Sequence, residues 1–340
     1  MKLKSLRFKF ITCTLLLVVI AELISRYLVG LGTPAILIEH ERIEYMFKPN
    51  QDVRVFHNNL HFNQYGMRSR DFSIQKLSPN EVRVLVIGDS VVNGGNQIDQ
   101  SELSTALLEG ALVGQIDTAS DVIVGNISAK SWGPGNQLAY VKEFGLFSAD
   151  YVILVVSSHD YSDVPSFQPL GESHPTETPL LAVLEGVMRY GPRFLPKIFR
   201  GSTPPDHEIK ATAEQIETAT TDFRELIGLA RSTGAAVGVI QHLTKTELAK
   251  NQPETGYFTL KSICDDLSVP RISTEDEFSS GSGSTDLFLD DIHPSVAGQK
   301  KLSATMTKMM NILVTGKSVK TETDSDQSPI AKGPISGPIH

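Results

Sequence analysis

Short β-branched segments alternate with helical segments between Val82 and Leu313, and this alternation is the strongest constraint on the fold. Strand-like segments are predicted at 82–87, 122–126, 151–156, 236–242 and 269–272, and helical segments at 101–112, 136–147, 209–233, 259–267 and 295–313. Strands that alternate with helices form a parallel, doubly wound sheet whose binding sites lie at the carboxyl ends of the strands. The sequence therefore predicts one α/β domain over residues 81–315.

Three regions lie outside this alternation. Residues 31–80 are rich in turn-forming residues and predict a lead-in of loops and hairpins before the α/β domain. Residues 165–205 contain several prolines and one apolar helix candidate at 180–187, and we predict an insertion over the sheet edge that shapes the cleft. Residues 316–340 contain few large apolar residues and predict a disordered tail.

The N-terminus carries a signal for membrane insertion in residues 1–30. An apolar run from Phe10 to Ala21 follows four basic residues, namely Lys2, Lys4, Arg7 and Lys9. No A-x-A cleavage site follows the run, and the positive charges favour an N-in orientation. We predict an uncleaved single-pass anchor in the inner membrane, in which Glu22 and Arg26 lie at the interface and the catalytic domain is periplasmic; a cleaved signal peptide is the alternative.

Composition excludes several classes of function. The net charge of -8 leaves no basic surface for nucleic acid. The two cysteines, Cys13 and Cys264, cannot form a disulfide framework or a cysteine metal site, because Cys13 lies within the apolar run. Nucleotide-binding glycine motifs are missing, and we predict neither a cofactor nor a bound metal.

Ser90 is the candidate nucleophile. Gly88-Asp89-Ser90 directly follows the first strand of the predicted domain, where a strand end projects a hydroxyl into the cleft and a helix N-terminus favours negative charge. By itself this triplet also fits an Asp/Ser turn that caps the next helix.

Asp290 and His293 are the candidate activating pair. A serine hydroxyl needs a base to accept its proton, and an imidazole serves best when a carboxylate fixes its tautomer. Three-residue spacing lets Asp290 reach His293 within one turn before the last helix. Two other interpretations of these residues are capping of the helix at Ser295 and metal ligation, which lacks a nearby third ligand.

Together, these two motifs resemble the SGNH (GDSL-type) hydrolase family, in which a G-D-S block opens the domain and a D-x-x-H block closes it. Gly88-Asp89-Ser90 and Gly94 match the first block, and Asp290 with His293 matches the last. The resemblance implies a flavodoxin-like three-layer fold and acyl-ester chemistry. It also implies that Ser90 is the nucleophile, His293 the base and Asp290 the residue that orients it.

The middle motifs of that family supply oxyanion donors, and here the sequence departs from the pattern. Ser131 stands where the second block, which begins at Asn126, has a glycine whose N–H donates. His159 stands where the third block has an asparagine, within Ser157-Ser158-His159-Asp160. The resemblance implies an oxyanion hole of Ser90, Ser131 and His159, since an imidazole can also donate; the alternative for His159 is a structural histidine bonded to Asp160 or Asp163.

Residues 131–137 and 159–163, with the anchor and lead-in, are similar to SGNH-like proteins associated with bacterial extracellular polysaccharides. This similarity implies a carbohydrate or acylated small-molecule substrate, with Trp132 and Asn126 as possible substrate-binding residues and polysaccharide-synthesis proteins as possible partners. Trp132, the only tryptophan, fits either an aromatic platform for a sugar or the core. The leading hypothesis is an esterase for acetyl esters of an envelope carbohydrate; a polysaccharide O-acetyltransferase and a non-catalytic glycan-binding scaffold are the alternatives.

Overall fold

A five-stranded parallel sheet forms the centre of the molecule. The computed structural model describes residues 2–113, 119, 121–171, 174–191, 211–279 and 284–316. The strands of the sheet are β5 (Glu81–Gly88), β6 (Asp121–Ser128), β7 (Tyr151–Ser157), β8 (Ala236–His242) and β9 (Arg271–Ser273). Their order is β6-β5-β7-β8-β9, so the chain reverses direction across the sheet beside β5, as in flavodoxin-like sheets. The predicted doubly wound parallel α/β fold is confirmed.

Helices cover both faces of the sheet. The helices are α1 (Lys2–Leu23), α2 (Ser90–Asn93), α3 (Ser104–Val113), α4 (Pro134–Phe144), α5 (Ala182–Glu185), α6 (Ala213–Ser232), α7 (Lys245–Lys250), α8 (Thr255–Asp266), α9 (Glu275–Ser279) and α10 (Val296–Thr315). Side chains of β5 alternate between two cores: Val84 and Val86 pack with α3 and α10, whereas Leu85 and Ile87 pack with α4, α6 and α8. This alternation follows from the two-residue period of a strand that is buried on both faces.

The lead-in forms two antiparallel hairpins, as the sequence predicts. Strands β1 (Leu37–His40) and β2 (Glu44–Phe47) form one hairpin, and β3 (Gln51–Val55) and β4 (Asn58–Phe62) form the other. Large side chains of both hairpins are buried in the core that also contains α4. The lead-in thus extends the hydrophobic core of the α/β domain.

The apolar N-terminal helix extends beyond α1 as a π-helical segment, Ile24–Val29. The most apolar 18-residue window within Arg7–Val29 has a mean hydropathy of 2.1, and none of that window is buried. The helix is long and apolar enough to cross a membrane, as a single-pass anchor or a signal sequence does. Its C-terminal end contacts α5, which is the described helix of the 165–205 insertion and continues as a π-helical segment, Gly186–Tyr190. The predicted tail, beyond Gly316, lies outside the described residues.

Candidate active site

Ser90 is the first residue of α2 and directly follows β5. The turn is tight: a side chain at Gly88 would come within 2.6 Å of Val92 Cγ2. Asp89 caps the helix by accepting a hydrogen bond from the Val91 N–H at 2.8 Å. Gly94 ends α2 with a φ of 75°, a left-handed conformation that favours glycine. Close packing against Val92 favours glycine at position 88, and the left-handed backbone favours glycine at position 94. The turn holds Ser90 at the carboxyl edge of the sheet.

The structure brings Ser90, His293 and Asp290 together across 203 residues of sequence. His293 Nε2 lies 2.9 Å from Ser90 Oγ, and His293 Nδ1 lies 2.7 Å from Asp290 Oδ2. The Asp290 carboxylate also accepts the backbone N–H groups of Ile292 and His293 at 3.0 and 2.9 Å. The loop geometry therefore fixes both the carboxylate and the ring.

This arrangement can activate a hydroxyl. Because Nδ1 faces a carboxylate, we assign the proton to Nδ1, which leaves Nε2 free to accept the proton of Ser90. Partial burial opposes ionisation of Asp290, but the hydrogen bonds from the backbone and ring of His293 outweigh it and lower the pKa of Asp290. A carboxylate that stays ionised can hold this tautomer and stabilise the imidazolium formed after proton transfer.

Similar solved structures are esterases and acylhydrolases. A two-domain esterase active on acetylated mannans is 13% identical, with a TM-score of 0.45 over 75% of this chain, which spans about half (53%) of that protein. A lipase/acylhydrolase from Enterococcus faecalis is 14% identical, with a TM-score of 0.41 over 71% of this chain and 100% of that one. A lipolytic G-D-S-L family member from Veillonella parvula DSM 2008 is 9% identical, with a TM-score of 0.40 over 68% of this chain and 98% of that one. No family model and no curated protein matches the chain.

A buried side chain of the lead-in stabilises the turn that carries Ser90. The fully buried Arg68 donates to the carbonyl oxygens of Asn93 and Gly95 at 2.6 Å each, and to that of Ile98. Burial lowers the pKa of Arg68 to about 9. Arg68 lies in the lead-in, where the sequence predicts only loops and hairpins. Its contacts with the end of α2 depend on tertiary structure.

The loop that carries His293 is held by β8 and α7. His242, at the end of β8, is buried and its Nε2 lies 2.8 Å from the carbonyl oxygen of Ile292. Burial lowers the pKa of His242, so a neutral ring donates this hydrogen bond. Asp291 accepts the backbone and hydroxyl hydrogens of Thr246. No local signal marks His242 as a site residue, because its contact is 50 residues away along the chain.

A cluster of charged side chains includes Asp89, the residue directly before Ser90. His159 Nε2 lies 3.4 Å from Asp89 Oδ2 and 4.0 Å from Asp160 Oδ1. Burial opposes protonation of His159, but Asp160 and the ion pair with Asp89 outweigh it and raise the pKa of His159 to about 10. Burial also raises the pKa of Asp160, whereas contact with His159 overcomes the burial of Asp89 and lowers the pKa of Asp89. His159 is therefore protonated at neutral pH, and it pairs with Asp89 and with Asp160, which is one of the two carboxylates predicted as its partner.

One atom from each of Asp89, His159 and Asp160 lies within 4.8 Å of the others, a spacing that could hold a metal ion. A histidine must be deprotonated before it can bind a metal. With its pKa raised to about 10 by the neighbouring carboxylates, His159 would have to lose a proton before it could bind a metal here.

Hydrogen bonds and close packing hold the segment that carries His159. Ser158 Oγ donates to Glu247 Oε1 at 2.5 Å, and the Ser157 N–H donates to Asp160 Oδ2 at 2.6 Å. Gly256 of α8 lies so close that a β-carbon there would stand 1.7 Å from the carbonyl oxygen of Ser158. The position of His159 therefore depends on how closely α8 approaches.

The two predicted oxyanion donors beyond Ser90 follow the strands on either side of β5. Ser131 follows β6, is exposed, and has a φ of 59°, the left-handed conformation that suits the glycine of the family pattern. His159 follows β7 and presents 43% of its side chain to solvent. With Nε2 beside Asp89, Nδ1 is the ring nitrogen left for a substrate oxyanion. Their role as donors remains a prediction.

Trp132 and Asn126 are not placed to bind a substrate, and that part of the prediction is wrong. Trp132 is 2% exposed, and its ring N–H donates to the carbonyl oxygen of Tyr45, so its faces are packed in the core. Asn126 is fully buried and donates from its amide to the Val92 carbonyl oxygen and the Thr105 hydroxyl at 3.1 Å each. Both residues support the site from within: Trp132 joins the lead-in to the core, and Asn126 holds α2.

Proposed function

We propose that this chain is a serine esterase in which Ser90, His293 and Asp290 form the catalytic triad. The single observation that supports it best is the continuous hydrogen-bonded series from Ser90 Oγ through His293 to Asp290, with distances of 2.9 and 2.7 Å. A helix N-cap at Asp89 or Ser295 does not require this series, because each cap is satisfied by its own backbone contact.

In the proposed reaction, Ser90 Oγ attacks the ester carbonyl carbon while its proton passes to His293 Nε2. The oxyanion is stabilised by the Ser90 and Ser131 N–H groups and by the His159 imidazolium, whose fixed charge needs no reorganisation during the reaction. Collapse of the tetrahedral intermediate breaks the ester C–O bond, and His293 returns the proton to the leaving oxygen. Water then attacks the acyl-enzyme in the same way, with its proton passing to His293 and on to Ser90.

Exposure of the triad supports hydrolysis over transfer. The side chains of His293 and Asp290 are 35% and 58% exposed, so bulk water reaches the base directly. A transferase must keep water from its acyl-enzyme long enough for an acceptor hydroxyl to react. We therefore propose that water is the acceptor and place O-acetyl transfer second.

The proposed substrate is a small acyl ester, such as an acetyl ester, of an envelope or extracellular carbohydrate. Its support is the similarity of residues 131–137 and 159–163 to polysaccharide-associated proteins, since Trp132 no longer contributes to it. We also propose that residues 1–30 remain as an N-in anchor of the inner membrane, followed by the lead-in at 31–80 and a periplasmic catalytic domain at 81–315. The length and hydropathy of Arg7–Val29 support this topology.

Hydrolysis of p-nitrophenyl acetate by the full chain in detergent tests the proposal. Ser90→Ala and His293→Ala are each expected to lower kcat/KM by about ten-thousandfold, because nucleophile and base act as one unit. His61→Ala is the matched control: His61 Nδ1 also lies 2.7 Å from a carboxylate, Asp52, on the surface of the lead-in.

The control variant should retain activity within about twofold of wild type. A folded wild-type chain without hydrolytic activity would contradict the esterase proposal and favour the transferase or the glycan-binding scaffold. Hydrolysis that persists in both triad variants would contradict the assignment of the nucleophile and base.

A further inference from the structure

The helix formed by α5 and its π-helical extension turns its apolar side away from the protein. Three exposed residues of this helix recur at helical spacing, namely Leu184 (48% exposed), Val187 (65%) and Met188 (53%), and Leu180 (91%) lies just before the helix; we term these four residues the 180–188 apolar face. The inward side instead carries the fully buried Ala182 and the buried carboxylate of Glu185, which accepts the Gly32 N–H at 2.7 Å. This orientation is the reverse of a surface helix in water, whose apolar side faces the core.

This helix is bonded directly to the apolar N-terminal helix. Glu22 of α1 accepts the N–H groups of Ala182 and Val183, each at 3.0 Å, and so caps the beginning of α5. Arg26 pairs with Glu22 and donates to the carbonyl oxygen of Leu180 at 3.2 Å. Glu22 and Arg26, the two charged residues that interrupt the apolar run, therefore hold the 180–188 apolar face next to the C-terminal end of the N-terminal helix.

That end of the helix corresponds to the edge of a bilayer. Phe10–Ala21 rises only about 18 Å at 1.5 Å per residue, whereas the hydrocarbon core is about 30 Å thick. To span the core, the apolar segment must include residues beyond Glu22, within 23–29, so we expect the Glu22–Arg26 pair to lie at or within the boundary. The 180–188 apolar face begins beside that pair, on the part of the domain next to the lipid.

We propose that the 180–188 apolar face inserts into the outer surface of the bilayer in which α1 is anchored, as an interfacial helix does. Lipid is favoured as the occupant because the face is continuous with the membrane-spanning helix and is bonded to it through Glu22. The face also borders a groove of about 460 Å³ lined in part by Pro179 and Leu181. This inference rests on α1 remaining in the membrane, and it holds whichever chemistry Ser90 performs.

Fluorescence of a membrane-reconstituted chain tests the proposal. In a Cys13→Ala background, Met188→Cys and Phe258→Cys each provide a site for an environment-sensitive NBD label in the full chain in nanodiscs. Met188 and Phe258 are matched in exposure at 53%, but Phe258 lies on α8 in the α/β domain. The label at 188 is expected to shift to shorter emission wavelength and to lose more than half of its fluorescence when the nanodisc lipids carry doxyl groups near the acyl-chain surface.

The label at 258 is expected to keep the emission of an aqueous site in the same nanodiscs. Equal, water-like emission at both positions would overturn the proposal and leave the domain tethered away from the surface. Blue-shifted emission at 188 without doxyl quenching would also overturn it, because the face would then be covered by protein such as a second copy. If the chain recovered from membranes lacks α1, the anchor has been cleaved and the proposal is overturned. This result is distinguishable from a failure of the esterase proposal, because it does not depend on esterase activity.

Discussion

His159 shows how one residue changes the electrostatics of the site. An asparagine at this position, as in the family pattern, is neutral, whereas the imidazolium of His159 forms an ion pair with Asp89, the residue that precedes the nucleophile. We expect a protonated His159 near Ser90 to favour an anionic intermediate more than a neutral asparagine would. In the proposed mechanism, a histidine at this position still provides a hydrogen-bond donor and adds a charge.

The pH dependence of stability should reveal this ion pair. The pKa of His159 is raised in the folded chain from 6.5 to about 10, so its stabilising contribution is complete below about pH 6.5 and is lost as the pH rises toward 10. The difference in unfolding free energy between wild type and His159→Gln is therefore expected to be largest near pH 6 and to shrink steadily to pH 10. Urea denaturation across this range measures it.

His61→Gln provides the control for this pH series. The Asp52 partner of His61 is 84% exposed, and an ion pair at such a surface contributes little at any pH. A His159→Gln difference that stays constant from pH 6 to pH 10 would show that His159 is not charged in the folded chain.

At the residue level, the sequence identified those candidate site residues that can be recognised from their neighbours along the chain. Asp290 and His293 share one turn, and Ser90 begins a helix just after a strand. This spacing, together with the resemblance to a known family motif, predicted the three residues that the structure brings together. Arg68 and His242 were missed as site residues because each acts through a carbonyl oxygen far along the chain. Trp132 was misassigned because composition does not show whether a ring faces the solvent or, as here, the core.

At the scale of elements, the close approach of α8 to the Ser158–Tyr161 turn controls the position of His159. Gly256→Ala would place a β-carbon 1.7 Å from the Ser158 carbonyl oxygen, so the turn or the helix must move. We expect a loss of about 3 kcal/mol in unfolding free energy, with a lower kcat as His159 shifts. Urea denaturation and p-nitrophenyl acetate hydrolysis measure the two effects.

Gly228→Ala is the matched change in α6, where no atom lies within 4 Å of the added β-carbon. That change is expected to stabilise the chain by about 0.5–1 kcal/mol, because alanine is the better helix former. Equal effects of the two substitutions would contradict the proposed packing constraint.

The five strands and the longer helices of the α/β domain were predictable to within a few residues, because their periodicity is strong and their ends are marked by turns. The short helices α7 and α9 were not predicted. The predicted helix at 180–187 is also confirmed as helical, at Ala182–Tyr190. The direction of its apolar side was not predictable, since periodicity reports that one side is apolar without reporting what covers it. Its orientation became visible only through the contact of Glu22 with α5.

At the scale of the whole molecule, the proposed topology places residues 31–316 on one side of the membrane. Alkaline phosphatase fused after Gly316 is expected to be active in intact bacterial cells, and a cytoplasmic reporter at the same position inactive. Changing Lys2, Lys4, Arg7 and Lys9 to glutamate should reduce the phosphatase signal, because these charges hold the N-terminus inside. Phosphatase activity that is independent of these charges would contradict the orientation.

In the proposed arrangement, the contact between Glu22 and α5 limits the substrates that Ser90 can encounter. A domain on a flexible linker explores a volume that grows with linker length, but a domain fixed to its own anchor moves only as the anchor diffuses in the plane of the membrane. A folded chain of this length has a radius of gyration of about 20 Å, so Ser90 stays within a few nanometres of the lipid. In the proposed arrangement, the enzyme meets polymers as they emerge at the membrane, where their local concentration is high, and not after they have diffused into the cell exterior.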